Sequence, residues 1–271
     1  MDSQRVIAAG LRAAESATGM QRILILGGTS EARELAQRLA GRSELAVTVS
    51  LAGRTSAPAH QSAPLRSGGF GGSAGLAGYL SSRRIDALVD ATHPYAAMMS
   101  ANAARAAAAT GVPLVSVRRP AWTATAGDRW MEVADAAAAI PALGQKTRRV
   151  FLALGRKEIG CFERAPQHFY LVRSIEPIAP PLAVPHAEYV TARGPFSETE
   201  DRRLLESHGI EMIVAKNSGG TASYAKIAAA RALAIPVIML RRPALPAVPS
   251  VDSVEQALQW LDAWLRREPR R

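Results

Sequence analysis

A buried strand pattern that ends in paired glycines is the feature that most constrains this chain. Residues 22–26 read Arg-Ile-Leu-Ile-Leu, and Gly27-Gly28-Thr29-Ser30 follows directly before an amphipathic run. Glycines permit a tight turn with positive φ, and the N–H groups at the start of a helix attract anions. This order predicts a parallel α/β unit with an anion site at the carboxyl edge of its sheet. The alternative is a plain turn capped by Thr29 or Ser30, with Glu31 complementing the helix dipole.

Strand and helix patterns alternate along the rest of the chain. Strands are predicted at residues 22–26, 46–50, 85–90, 113–117, 128–133, 149–154, 211–215 and 236–240,. Helices are predicted at residues 30–40, 73–82, 96–110, 134–143, 197–208, 223–233 and 253–266,. The predicted fold class is α/β, with two Rossmann-like domains, mainly parallel sheets and a ligand cleft between the domains. The predicted divisions are a disordered extension at 1–20, an NADP-binding domain at 21–125 and a second domain at 126–271.

Charge and composition indicate which class of molecule the chain binds. The net charge of +10 comes from 33 Lys and Arg against 23 Asp and Glu, which suits an anionic ligand,. The basic residues are scattered and aromatics are 5% of the chain, which argues against nucleic acid,. No apolar run reaches the roughly 18 residues of a membrane span, and the start lacks a signal-peptide pattern. With Cys161 as its one cysteine, the chain is expected to be a cytoplasmic protein that binds no membrane,.

The segment after the second predicted strand bears on cofactor choice. Leu51-Ala52-Gly53-Arg54-Thr55 follows residues 46–50, where an acidic residue would hold the 2′-hydroxyl of an NAD ribose,. Its absence favours NADP, with Arg54 placed to pair with a 2′-phosphate. It also disfavours a methyltransferase that uses S-adenosylmethionine. The alternative is a surface arginine that follows a strand.

A third polar cluster follows the strand predicted at 85–90. The sequence Asp90-Ala91-Thr92-His93-Pro94-Tyr95-Ala96 leads into the helix predicted at 96–110. Carboxyl ends of parallel strands share one edge of a sheet, so this cluster is expected beside the glycine turn. His93 could donate to a substrate or cofactor oxygen and Tyr95 could pack a ring; a structural role for His93 is the alternative.

The second half repeats the pattern with cations. Leu154-Gly155-Arg156-Lys157-Glu158 places two cations at a predicted helix start, where the dipole disfavours them unless an anion is bound,. Lys216-Asn217-Ser218-Gly219-Gly220 also follows a predicted strand, with Lys226 beyond it. Arg193-Gly194-Pro195 is either a further anion contact or only a turn. The chain lacks a P-loop, a Cys/His metal cluster and a hydrolase elbow, so no metal and no ATP chemistry are expected.

Four of these motifs together resemble the precorrin-6A reductase family, including cobalt-precorrin-6A reductases, of cobalamin biosynthesis. They are Gly27-Gly28-Thr29-Ser30-Glu31-Ala32-Arg33, Asp90-Ala91-Thr92-His93-Pro94-Tyr95-Ala96, Arg193-Gly194-Pro195-Phe196 and Lys216-Asn217-Ser218-Gly219-Gly220. The resemblance extends from about residue 21 to residue 245. It implies two Rossmann-like domains and an NADPH-dependent oxidoreductase that acts on CH–CH groups. The implied reaction is hydride transfer to precorrin-6A, or its cobalt form, to give precorrin-6B.

The site residues predicted on this basis fall into three groups. The cofactor-binding residues are Gly27, Gly28, Thr29, Ser30, Glu31, Arg54, Thr55, Thr92, His93 and Tyr95. The substrate-binding residues are Arg156, Lys157, Arg193, Lys216, Asn217, Ser218, Gly219 and Lys226. The catalytic candidates are Lys216 and His93. The expected partner is a small tetrapyrrole, a role compatible with hand-over contacts to neighbouring pathway enzymes. Two alternatives stay open: an NADPH-linked reductase of another small conjugated substrate, and a non-catalytic NADP-sensing protein.

Overall fold

A computed structural model describes residues 19–53 and 62–267 of the chain. The described residues divide into two compact units, one formed by those up to Arg119 together with those from Ala244 onward, the other by Pro120–Pro243. Each unit carries a six-stranded parallel sheet with helices. This confirms the predicted α/β class with two Rossmann-like domains.

The strands and helices of the described residues follow the predicted alternation. The strands are β1 (Gln21–Leu26), β2 (Leu45–Leu51), β3 (Leu65–Ser67), β4 (Ala87–Asp90), β5 (Leu114–Val117), β6 (Trp130–Val133), β7 (Arg149–Ala153), β8 (Phe169–Ser174), β9 (Ala187–Thr191), β10 (Met212–Lys216), β11 (Val237–Leu240) and β12 (Ser250–Val251). The α-helices are α1 (Ser30–Leu39), α2 (Gly72–Ser82), α3 (Ala97–Thr110), α4 (Ala136–Leu143), α5 (Arg156–Ile159), α6 (Glu198–Ser207), α7 (Ala225–Ala232) and α8 (Val254–Arg267). A 3₁₀-helix, Gly160–Arg164, follows α5. Each predicted strand and helix overlaps an observed one; β3, β8, β9 and β12 are additional.

Both sheets have the doubly wound strand order. The first runs β3-β2-β1-β4-β5-β12 and the second β9-β8-β7-β10-β11-β6, with every pairing parallel. The chain direction across the sheet reverses between β1 and β4 in the first sheet and between β7 and β10 in the second. In such sheets ligands bind outside the carboxyl ends of the strands at this switch point. A ligand site is therefore expected at the turns after these four strands.

The core of the first unit lies on both faces of its sheet. In β1, Ile23 and Ile25 are fully buried in one apolar cluster, which includes buried residues of α1 and α8. Leu24 and Leu26 point to the opposite face and join a cluster with residues of α2 and α3. The period of two along a strand explains this, because successive side chains face opposite sides of the sheet. Because both faces of the sheet are packed against helices, β1 is buried up to the turn that follows it.

The end of the chain belongs to the first unit, which differs from the predicted second domain at 126–271. Helix α8 buries Leu258, Leu261 and Trp264 in the cluster that contains α1, and β12 pairs with β5. In the other direction, residues 120–125, which were predicted in the first domain, belong to the second unit. The apolar face of α8 is visible in the sequence, but periodicity does not tell which sheet it covers.

Three stretches lie outside the described residues: 1–18, 54–61 and 268–271. They include most of the predicted extension at 1–20, and also Arg54 and Thr55. Among the helices of the described ranges, none has both the length and the apolar content needed to cross a membrane.

Candidate functional site

Thr29 links the two turns at the switch point of the first sheet. As N-cap of α1, its side-chain oxygen accepts the N–H of Ala32 at 3.1 Å. Its hydroxyl also donates to the carbonyl of Ala91 at 2.7 Å, in the loop that follows β4. The turn after β1 and the loop after β4 are thus joined by one side chain, at the edge where a ligand is expected.

The glycines of this turn leave its backbone open. The N–H of Gly27 donates to the carbonyl of Ser50 at 2.9 Å, and a Cβ at Gly27 would stand 3.0 Å from Cγ1 of Val49. Gly28 has φ of 112°, and nothing lies within 4 Å of where its Cβ would be. A side chain would crowd the strand at Gly27 and strain the backbone at Gly28. The open backbone at Gly28 leaves room for an anion at the start of α1,.

Replacing Thr29 with valine is expected to reduce the free energy of unfolding by about 1–2 kcal/mol, because the helix loses its cap and Ala91 loses its donor. Urea unfolding of the purified variant measures this. Thr29→Ser keeps the hydroxyl and is expected to stay within about 0.5 kcal/mol of the wild type. Equal stability of Thr29→Val and the wild type would show that the hydroxyl does not make this link.

The loop after β4 is held by its own side chains. Asp90 is buried, and its carboxylate accepts the N–H of Thr92 at 3.2 Å and the hydroxyl of Thr92 at 2.7 Å. Nδ1 of His93 accepts the N–H of Tyr95 at 3.3 Å, which assigns the proton of the neutral ring to Nε2,. The two rings lie 5.7 Å apart. Because Asp90 pairs in register with Leu26, the loop lies at the same edge as the glycine turn.

Glu31 forms an ion pair with a residue that the sequence reasoning missed. Nη1 of Arg119 lies 2.6 Å from Oε2 of Glu31, and both side chains are largely covered. Burial raises the pKa of Glu31, but the hydrogen bond and charge of Arg119, with hydrogen bonds from the backbone and from Ser30, outweigh it and leave the pKa below its ordinary value. Glu31 therefore stabilises the turn as a carboxylate, and any cofactor contact that it makes adds to this pair. The two residues are 88 positions apart in the sequence, so neither carries a local signal of the other.

The second switch point holds a lysine–glutamate pair. Nζ of Lys216, the last residue of β10, donates to Oε1 of Glu158 at 2.6 Å. A Cβ at Gly155 would stand 2.6 Å from Oε2 of Glu158 and 3.5 Å from Nζ of Lys216. Glycine at 155 thus makes room for the pair. Helix α5 has four residues, and Glu158 supplies negative charge within it. The predicted need for an anion beside Arg156 is correspondingly weaker.

The turn after β10 is fastened to the segment at the start of the second unit. The side-chain amide of Asn217 donates to the carbonyl of Trp122 at 2.9 Å and accepts the N–H of Trp122 at 2.8 Å. Nε of Arg242 donates to the carbonyl of Asn217 at 2.8 Å. The structure thus gives the side chain of Asn217 a role in the fold, where the sequence predicted a substrate contact. Trp122 and Arg242 were not among the predicted site residues.

The remaining predicted substrate residues differ in exposure. Arg156 and Lys157 are exposed, and Arg156 also donates to the carbonyl of Ala179. Nη2 of Arg193 lies 3.9 Å from Oε1 of Glu176. Ser218 is buried, and its N–H donates to the carbonyl of Lys216 at 2.8 Å. An anion at the carboxyl ends of β7 and β10 could therefore contact the exposed Arg156 and Lys157, and Lys216 in its pair with Glu158.

Lys226 lies in the core. It is 4% exposed, its ammonium donates to the carbonyl of Ser223, and Nζ lies 5.0 Å from the ring centroid of Trp122. Burial lowers the pKa of Lys226 to about 7; the charge of Arg173 adds to this and that of Asp201 opposes it. The sequence predicted an anion contact for Lys226, and the structure buries its side chain on α7. Periodicity around Lys226 is weak because α7 is rich in alanine.

Because Lys226 is buried, the free energy of unfolding is expected to rise with pH. The unfolded lysine holds its proton to a pKa near 10.5 and the folded one to about 7, so the unfolded state binds more protons in between. The free energy of unfolding of the wild type, relative to Lys226→Met, should therefore increase above pH 7 by up to about 1.4 kcal/mol per pH unit. Urea unfolding of both proteins at several pH values tests this. A difference that does not change with pH would contradict the buried position.

Comparison with known proteins gives a consistent result over nearly the whole chain. A family model described as precorrin-6x reductase CbiJ/CobK matches residues 22–262. The precorrin-6A reductase of Sinorhizobium sp is 52% identical over 250 residues, 92% of this chain and 96% of that protein. The precorrin-6A reductase of Rhodobacter capsulatus is 51% identical over 242 residues, with 89% and 96% covered. A solved structure titled CobK precorrin-6A reductase is 49% identical, with a TM-score of 0.86 over 90% of this chain and 97% of that one.

Proposed function

Because the chain belongs to the precorrin-6x reductase family, we propose that it reduces precorrin-6A to precorrin-6B with hydride from NADPH, as a cytoplasmic step of cobalamin biosynthesis. The observation that carries the proposal is the open glycine turn at the switch point of the first sheet, which Thr29 joins to the loop after β4. This arrangement suits the phosphates of a dinucleotide.

The residues of the first unit are assigned to the cofactor. Gly27, Gly28, Thr29 and Ser30 hold the pyrophosphate at the start of α1, and Thr92, His93 and Tyr95 line the neighbouring loop. Within the described residues, β2 ends in Ser50 and Leu51 without a carboxylate, which favours a phosphorylated ribose,. Arg54 and Thr55 are assigned to the 2′-phosphate on sequence grounds. The bound nicotinamide supplies the hydride.

The residues of the second unit are assigned to the substrate. Precorrin-6A is a polycarboxylate, and Arg156, Lys157 and Arg193 supply cations for it, with Ser218 and Gly219 in the adjoining turn. Reduction of one double bond of the conjugated macrocycle consumes a hydride and a proton. Lys216 holds a proton at Nζ against Glu158, so we assign it the role of proton donor; His93 is the second candidate,.

We further propose that the natural substrate carries no cobalt. Relatives named precorrin-6A reductase are 52%, 51% and 46% identical to this chain. Relatives named cobalt-precorrin-6A reductase, from Priestia megaterium and Methanothermobacter thermautotrophicus, are 28% and 29% identical. Turnover of precorrin-6A should exceed that of its cobalt form in side-by-side assays; equal rates would overturn this preference.

Fluorescence titration with NADPH and NADH, followed by addition of precorrin-6A, tests the function. Tighter binding of NADPH and loss of nicotinamide absorbance only after the tetrapyrrole is added would support it. Binding of NADPH without turnover of precorrin-6A would favour a sensing protein or a reductase of another conjugated substrate. Absence of binding by either nucleotide would reject the cofactor assignment itself.

A further inference from the structure

Arg66 lies at the carboxyl edge of the first sheet, next to the place where a dinucleotide ribose is expected. In the register of the sheet Arg66 pairs with Ser50, and Ser50 pairs with Leu26. Leu26 in turn pairs with Asp90. Arg66 therefore shares a row with the residues that precede the glycine turn and the loop after β4. In this strand order the end of β2 faces the adenosine ribose.

The guanidinium of Arg66 is held in one orientation. Nη1 donates to Oγ of Ser50 at 3.2 Å and to the carbonyl of Gly68, and Nη2 donates to the carbonyl of Gly69 at 2.7 Å. Its Cζ lies 3.7 Å from the ring centroid of Phe70, so one face of the guanidinium is stacked. The side chain is thus fixed before any ligand arrives, which reduces the entropy lost on binding.

The fixed guanidinium retains donors for a ligand. Arginine has five N–H groups, and three hydrogen bonds to the described part of the chain use Nη1 twice and Nη2 once,. Among the described residues, no hydrogen bond uses Nε–H or the second Nη2–H. The residue is half-buried, and its Cζ also lies 5.2 Å from the ring centroid of Tyr79. A planar cation with two donors suits a phosphate monoester better than a lysine would.

We propose that Arg66 determines specificity for NADPH by contacting the 2′-phosphate of its adenosine. The inference rests on the proposed use of NADPH and adds a determinant to Arg54. The 2′-phosphate of NADPH would meet a guanidinium that Phe70 and three hydrogen bonds already hold in place. NADH has an uncharged 2′-hydroxyl at this position, so it gains no ion pair with Arg66. Loss of Arg66 should therefore weaken NADPH binding and leave NADH binding nearly unchanged.

Binding of NADPH, NADH, 2′,5′-ADP and 5′-AMP to wild type, Arg66→Gln and Arg66→Lys tests this by calorimetric titration. Arg66→Gln is expected to weaken NADPH and 2′,5′-ADP about tenfold or more, with NADH and 5′-AMP changed less than about twofold. Arg66→Lys should lie between, since it keeps the charge and loses the fork. Arg105→Gln, an exposed change of the same charge on α3, should leave all four affinities unchanged.

The outcomes separate this inference from the proposed function. If wild type prefers NADPH and both Arg66 variants keep the same ratio of NADPH to NADH affinity, Arg66 has only a structural role and the inference is overturned. A loss of all four affinities in proportion would overturn it as well. If wild type binds neither nucleotide, the cofactor proposal fails first. Should Arg66→Gln not fold, the ratio measured for Arg66→Lys decides.

Discussion

Replacing Lys216 with methionine is expected to lower kcat for precorrin-6A reduction by about 100-fold or more, while the Kd for NADPH changes less than about twofold. Positioned proton donors contribute about 10²–10⁴-fold to rate, and methionine keeps the length of the side chain while removing its proton. The pair with Glu158 at 2.6 Å holds Nζ at the carboxyl edge of the second sheet. Steady-state oxidation of NADPH at saturating precorrin-6A measures the effect.

Glu158→Gln provides a matched control for this prediction. It keeps the lysine and replaces the carboxylate with an amide of the same shape, so a smaller loss, about tenfold, is expected. If Lys216→Met keeps kcat within about threefold of wild type, Lys216 does not deliver the proton. His93→Gln would then separate the second candidate from solvent: a large loss in that variant would assign the proton to His93.

Replacing Gly219 with alanine is expected to reduce the free energy of unfolding by about 3 kcal/mol or more. The Cβ would stand 2.1 Å from the carbonyl oxygen of Pro120 and 2.4 Å from Nη2 of Arg242, and φ is 68°. Either the segment at Pro120 or the turn after β10 must move to admit this Cβ. That movement would also disturb the hydrogen bonds between Asn217 and Trp122. Urea unfolding measures the loss.

Gly78→Ala is the matched control for Gly219→Ala. Gly78 lies within α2, and nothing lies within 4 Å of where its Cβ would be. Alanine there should leave stability unchanged or raise it by up to about 1 kcal/mol, since glycine is a poor helix former. Equal stability of the Gly219 and Gly78 variants would contradict the close approach of Pro120 to the turn.

Local geometry explains what the sequence could predict. The glycine turn before α1, the loop after β4 and the turn after β10 each follow a buried strand, and strand, turn and helix are encoded by neighbouring residues. The parallel order then places their carboxyl ends at one edge of each sheet. Lys216, His93 and Thr29 could thus be predicted as site candidates from the sequence.

Contacts between distant residues explain what could not be predicted. Glu158 and Lys216 are 58 residues apart, and Thr29 and Ala91 are 62 apart. Neither partner carries a local signal of the other. Lys226 shows the same limit: its charge suggested an anion contact, and its burial in the core could not be predicted from the neighbouring residues. The packing of α8 on the first sheet likewise could not be predicted, because it depends on which apolar surface its buried face contacts.

Transfer of deuterium from NADPH labelled on the reactive C4 face tests the central claim most directly. Purified protein is incubated with precorrin-6A and labelled NADPH, and the mass of precorrin-6B is measured. If hydride passes directly from nicotinamide to the macrocycle, precorrin-6B should be one mass unit heavier than the product from unlabelled NADPH. Product without deuterium from either C4 position, or oxidation of NADPH without product, would contradict the assignment as an NADPH-dependent precorrin-6A reductase.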